Sequence, residues 1–176
     1  MLTGLIEIKG FEGQGYEPLV DFGTWRVAAL RYLDEIAPDR INSMERHTAT
    51  DEVFVLAKGI GMLVLGGNSK SVDEIQTIIM EIGKVYNIKM NSWHNIILSE
   101  DAHVIIIENQ DTNDNNTEHC KLTNGLQRTL QQQLSGRVCI SSDCQIQSGS
   151  SAPAHDKIPL CGGGHPFHPG RHPLNA

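Results

Sequence analysis

Along residues 1–122 the apolar positions come in short runs broken by Gly, Asn, Asp and Ser, without the 3.6-residue spacing of a long helix. Residues 24–32, 52–56, 62–65, 75–80, 85–89, 95–98 and 104–107 are rich in β-branched or aromatic side chains, which predicts about seven strands. Residues 58–61, 66–69, 82–84 and 99–102 supply the turn formers between them. Spacing this even points to an all-β sandwich or barrel and argues against a parallel α/β sheet.

The pattern changes after Gln110. Residues 111–116 are wholly polar and cannot bury a face, so they mark the expected edge of the strand-rich part. Residues 124–136 then put Leu126, Leu130 and Leu134 on one helical face, with Thr123 or Asn124 as cap and Gly136 as stop. Beyond Gly136 lie five of the seven prolines, a Gly162-Gly163-Gly164 run and a single aromatic, Phe167, a composition that predicts disorder. The expected organisation is a β domain over 1–122, a short helix over 123–136 and a largely disordered tail over 137–176.

Charge narrows the partners. The chain carries a net −7, and residues 1–123 hold 10 Lys/Arg against 19 Asp/Glu. Such a body gives phosphate backbones and anionic membrane surfaces nothing to pair with, so no nucleic acid and no membrane is expected. Glu7, Lys9, Glu12, Glu17 and Asp21 interrupt any apolar run of signal-peptide length, and cytoplasmic placement is expected. The four cysteines, Cys120, Cys139, Cys144 and Cys161, have no spacing that implies a disulfide framework, so reduced thiols are expected.

Candidate chemistry gathers in residues 45–52. On a strand, residues two apart share a face, so Glu45 and His47 can point inward together while Arg46 points away. Glu52 alternates with Phe54 and Leu56, and a carboxylate on an apolar face needs a partner. A divalent cation would supply it, and His94, at the start of another strand, completes a set of two imidazoles and two carboxylates.

These residues resemble the two motifs of the cupin superfamily. His47, Glu52 and Gly59 fit the spacing of the first motif, while Asp39 stands at its leading glycine and Glu45 replaces its first histidine. In the second, Gly83 and His94 fit, and Lys89, Asn91 and Leu98 replace the proline, glycine and asparagine. The wider phrase around Trp25-Arg26-Val27-Ala28, residues 50–56, Trp93-His94 and residues 108–112 is similar to small bacterial cupins without established activity. The resemblance implies a cupin-type antiparallel β-barrel or jelly roll with a metal held inside by Glu45, His47, Glu52 and His94. With Glu45 in place of a histidine the set shifts toward oxygen donors, which leaves Mn, Fe or Zn open and makes copper a poorer fit.

Two functions fit that picture. One is a metal-dependent enzyme of isomerase, lyase or dioxygenase type acting on a small polar metabolite; the other is a non-catalytic small-molecule-binding or sensing module. A homodimer is expected, with residues 5–8 adding to a neighbour's sheet edge. Trp25, Tyr32, Tyr86 and Trp93 read first as core and second as pocket lining, and His103 and His119 read as surface residues. Cys139, Cys144, Cys161, His165, His168 and His172 match no compact zinc knuckle. No G-x-S-x-G elbow, P-loop or dinucleotide fingerprint is present, so those hydrolase, NTPase and dinucleotide-binding classes drop out.

Overall fold

A computed structural model describes residues 4–136. The disorder expected of residues 137–176, and the cysteines and histidines there, lie outside the described residues. The described chain runs β1 (Gly15–Phe22), β2 (Trp25–Arg31), β3 (Ser43–His47), β4 (Glu52–Lys58), β5 (Gly61–Leu65), β6 (Gln76–Ile79), β7 (Val85–Ile88), β8 (His94–Leu98), β9 (His103–Asn109), β10 (Thr117–Lys121) and helix α1 (Asn124–Ser135). All seven expected strands are present. A 3-10 turn, Asp34–Ile36, lies between β2 and β3.

The strands form two antiparallel sheets, ordered β1-β2-β9-β4-β7 and β10-β3-β8-β5-β6. The neighbours β2·β9, β3·β8, β4·β7 and β5·β6 pair the first half of the chain with the second, as a long hairpin would if rolled over itself. That connectivity is a jelly roll, and the two sheets do not close into one continuous barrel.

Side-chain period explains how each sheet reads in sequence. In β4 and β9 of the first sheet, Phe54, Leu56, Val104 and Ile106 alternate inward and join one core cluster with Leu63, Ile96 and Leu98. In β5 and β8 the intervening residues Met62, Val64 and Ile97 are buried as well, in a second cluster shared with Met44, Trp93 and the helix residues Leu130 and Leu134. The second sheet is therefore covered on both faces, and its central strands read as continuous apolar runs rather than alternation.

Helix α1 is part of this packing. Thr123 caps it by accepting from the Leu126 N–H, and Gly136 ends it, both as the sequence predicts. The Gln133 side chain donates to the Ile75 carbonyl at 2.7 Å and accepts from Thr77 at 3.0 Å, which pins the helix beside β6.

Residues 111–116, wholly polar in sequence, form a turn. Asn113 and Asn116 donate to the Asp111 carbonyl at 2.6 and 2.9 Å, and the chain continues into β10, which pairs with β3 from Thr117↔His47 to Lys121↔Ser43. The aromatic expectations divide. Trp93 is core, 2% exposed, and its indole N–H donates to the Ser69 carbonyl at 3.0 Å. Trp25 is not core: it is 43% exposed beside Phe22 on the outer side of the first sheet. Tyr32 and Tyr86 are half-buried; His119 is exposed and His103 half-buried.

Candidate metal centre

Local backbone geometry brings the two motif segments together. Alternation in β3 puts Met44, Arg46 and Glu118's side on one face and Glu45 and His47 on the other, and Arg46 lies over the Trp93 ring at 4.4 Å while pairing with Glu118. The turn before β4 is latched by Asp51, whose carboxylate accepts from the Met90 N–H at 2.8 Å and from Asn87 at 3.1 Å and pairs with Lys89. Lys89 above all, with the Met90 N–H, holds the Asp51 carboxyl down to about 2. Lys89 and Asn91, two departures from the second cupin motif, thus have structural work here: Asn91 takes the left-handed conformation, φ 66°, that the motif's glycine would supply. Gly59 of the first motif is equally constrained. At φ +77° it packs so closely that a Cβ would lie 2.6 Å from the Ala102 Cα.

The centre itself is built on one oxygen. His47 Nε2 lies 3.1 Å, and His94 Nε2 2.8 Å, from Oε2 of Glu52. All three side chains are buried: 7%, 2% and 6% exposed for His47, His94 and Glu52. The other ring nitrogens are anchored, His94 Nδ1 donating to the Ser92 carbonyl at 2.9 Å and His47 Nδ1 lying 2.9 Å from the Thr117 hydroxyl. A carbonyl only accepts, so His94 Nδ1 carries a proton and its neutral form aims the Nε2 lone pair inward.

The electrostatics follow. Burial disfavours both imidazolium ions, but Glu52 outweighs it and raises both histidines above their ordinary value. Burial likewise opposes the Glu52 carboxylate, yet His47 and His94 hold it well below the usual range.

Glu45, opposite His94 in the β3–β8 register, is half-buried. Its donor atom and those of His47 and His94 lie within 4.8 Å of one another, and so do those of a second trio, His47, Glu52 and Glu108. Glu108 and its partner Tyr16, whose hydroxyl donates to Glu108 Oε1, were not singled out by the sequence. A signal was available: Val104, Ile106 and Glu108 alternate on β9 as Glu52, Phe54 and Leu56 do on β4. Burial, with the Glu52 charge, leaves the Glu108 carboxyl raised, although the hydrogen bond from Tyr16 works the other way. All these groups line a cavity of about 370 Å³ between the sheets, closed on its apolar side by Leu30, Phe54 and Ile106. None of Trp25, Tyr32, Tyr86 and Trp93 lines it.

No protein-family model and no curated protein matches the chain. Solved structures do. A cupin-2 domain protein from Shewanella frigidimarina aligns at 19% identity over 56% of this chain and 84% of its own, with a TM-score of 0.42. Pac13 of Streptomyces, described as a nucleoside dehydratase, aligns at 11% over 64% and 83%, with a TM-score of 0.46. CapF of Staphylococcus aureus, a capsular polysaccharide assembling protein, aligns at 19% over 64% and 31%, with a TM-score of 0.45. Likeness this distant says nothing of activity. By its own strand order, the described chain is a jelly roll with His47, Glu52 and His94 gathered between its sheets.

Proposed function

We propose that the cavity is a mononuclear divalent-metal centre, with His47, Glu52 and His94 as its core ligands and Glu45 as a fourth, acting on a small polar metabolite. The observation that carries this reading is the shared oxygen: two buried imidazoles aim Nε2 at Glu52 Oε2, a place that demands positive charge. In the metal-free protein protons meet that demand, and a divalent cation would replace them. The anchored Nδ1 of His94 supports the reading, because metal-bound imidazoles commonly donate their other N–H to a carbonyl or carboxylate.

Imidazole and carboxylate donors suit Mn, Fe or Zn. When bound, such an ion would polarise a carbonyl or hydroxyl oxygen, a chemistry open to isomerases, lyases and dioxygenases. The chain's own contribution is a cavity of the size that takes small ligands, with apolar walls at Leu30, Phe54 and Ile106 and polar groups at Asn95 and Arg26. The proposed protein partner is a second copy, because β1 is a sheet edge and Leu5, Ile6 and Ile8 before it are 83%, 62% and 90% exposed.

Elemental analysis of the purified full chain tests the metal reading. Wild type is expected to carry about one divalent ion per chain, and His47→Ala to lose it. A wild type that remains metal-free after metal is supplied during expression would overturn the reading in favour of a non-catalytic binding module.

A further inference from the structure

The cavity has a wall that the four-residue set leaves out. Glu108 enters from β9 of the first sheet, 7% exposed, and one of its oxygens lies within 4.8 Å of the donor atoms of both His47 and Glu52. Two buried carboxylates thus face one cavity, and like charges held this close repel unless a cation stands between them. The guanidinium opposite Glu108 in register, Arg26, also borders the cavity, but its Nε and Nη2 donate to the two oxygens of Asp21 at 2.8 and 3.2 Å and it interacts with Tyr16.

We infer that Glu108 is a further ligand of the same ion, reaching it from the sheet opposite His47 and His94 and oriented by Tyr16, and that it contributes more to binding than Glu45. The inference rests on the metal reading above. The trio of His47, Glu52 and Glu108 is buried throughout, whereas Glu45 is half-buried and can be solvated. Desolvation is therefore relieved chiefly at Glu108 when a cation enters. Tyr16 does for Glu108 what the Ser92 carbonyl does for His94: by donating to Oε1 it fixes the rotation of the carboxylate. An ion held this way ties β3, β4, β8 and β9 together across both sheets, so that binding braces the sandwich as well as filling it.

Titration of the chelator-stripped full chain with Co²⁺, read by its visible ligand-field absorption and by calorimetry, tests this. Glu108→Gln keeps the shape of the side chain and removes its charge, so the metal-free thermal midpoint is expected to hold or rise. Its Co²⁺ affinity is expected to fall by about tenfold or more, its absorption bands to shift, and the metal-induced rise in thermal midpoint to shrink. Glu45→Gln is expected to lose less affinity and to keep the wild-type bands, and Tyr16→Phe to weaken binding by a smaller factor than Glu108→Gln. Wild-type affinity and bands in Glu108→Gln, with Co²⁺ still binding the wild type, would overturn this inference alone. A wild type that binds no Co²⁺ would overturn it together with the metal reading.

Discussion

The Asn91 backbone N–H donates to the His47 carbonyl at 2.8 Å, which ties the turn before His94 to the strand that carries His47. Asn91 makes that bond from the left-handed conformation, φ 66°, where a side chain with a Cβ is strained unless it is Asn or Asp. Asn91→Gly is expected to keep wild-type stability within a few tenths of a kcal/mol. Asn91→Val is expected to lose about 1–2 kcal/mol, measured by urea unfolding. Equal stability of the two variants would refute the account.

Leu130 is fully buried, with Leu134 close behind, in the cluster that covers the outer face of the second sheet. Leu130→Ala is expected to cost about 2–5 kcal/mol, the range for emptying a buried leucine site. Ending the chain at residue 122 removes both leucines and uncovers Met62, Val64 and Ile97, so it should destabilise at least as much. Thermal unfolding compares the two, and a chain ending at 122 that melts with the wild type would show that the helix contributes no net stability.

How much of this was legible in sequence depended on what each residue faced. Strands such as β4, with one face on the core and one outside, announce themselves by alternation, and Glu52 could be read as inward-facing from that alone. β1 and β10 were not read as strands because they are edges: β1 carries Pro18 next to a bulge, and β10 is Thr-Glu-His-Cys-Lys, with little to bury. β3 was legible only through the spacing of Glu45 and His47. Glu108 followed the same rule as Glu52 yet closes its strand next to polar residues, where an acid reads as the start of a turn. Tyr16 could not be found at all without the register Tyr16↔Leu30, since pairing across strands decides which side of β1 faces the cavity.

Self-association is expected to involve apolar surface already exposed. Leu5, Ile6 and Ile8 precede the open edge β1, and Phe22, Trp25 and Val85 stand 70%, 43% and 68% exposed on the first sheet. Light scattering at roughly tens of micromolar should report twice the chain mass, and Ile8→Asp should shift it toward one chain. A wild-type monomer at that concentration would contradict the expectation.

The metal-free protein is expected to lose stability as pH rises, and a divalent ion should cancel that loss. The histidines take their sign from Glu52. His47 and His94 have folded values raised above 6.5, so the stability they contribute is complete below 6.5 and is lost as pH climbs through their raised values. Glu52 has the opposite sign: its folded value is lowered from 4.5, so its contribution is complete above 4.5 and is lost as pH falls through the lowered value. The three together are most favourable between those two ordinary values. At higher pH the imidazoles shed their protons, and the Glu52 oxygen they share is left buried beside two lone pairs. A divalent cation occupies that position without needing either proton, and it competes with protons for the same nitrogens. Thermal midpoints from pH 5.5 to 9 should therefore fall in the metal-free chain and stay level or rise with Zn²⁺ or Mn²⁺, the gap between the two curves widening with pH. A gap that is constant across this range would mean that the ion binds away from His47 and His94.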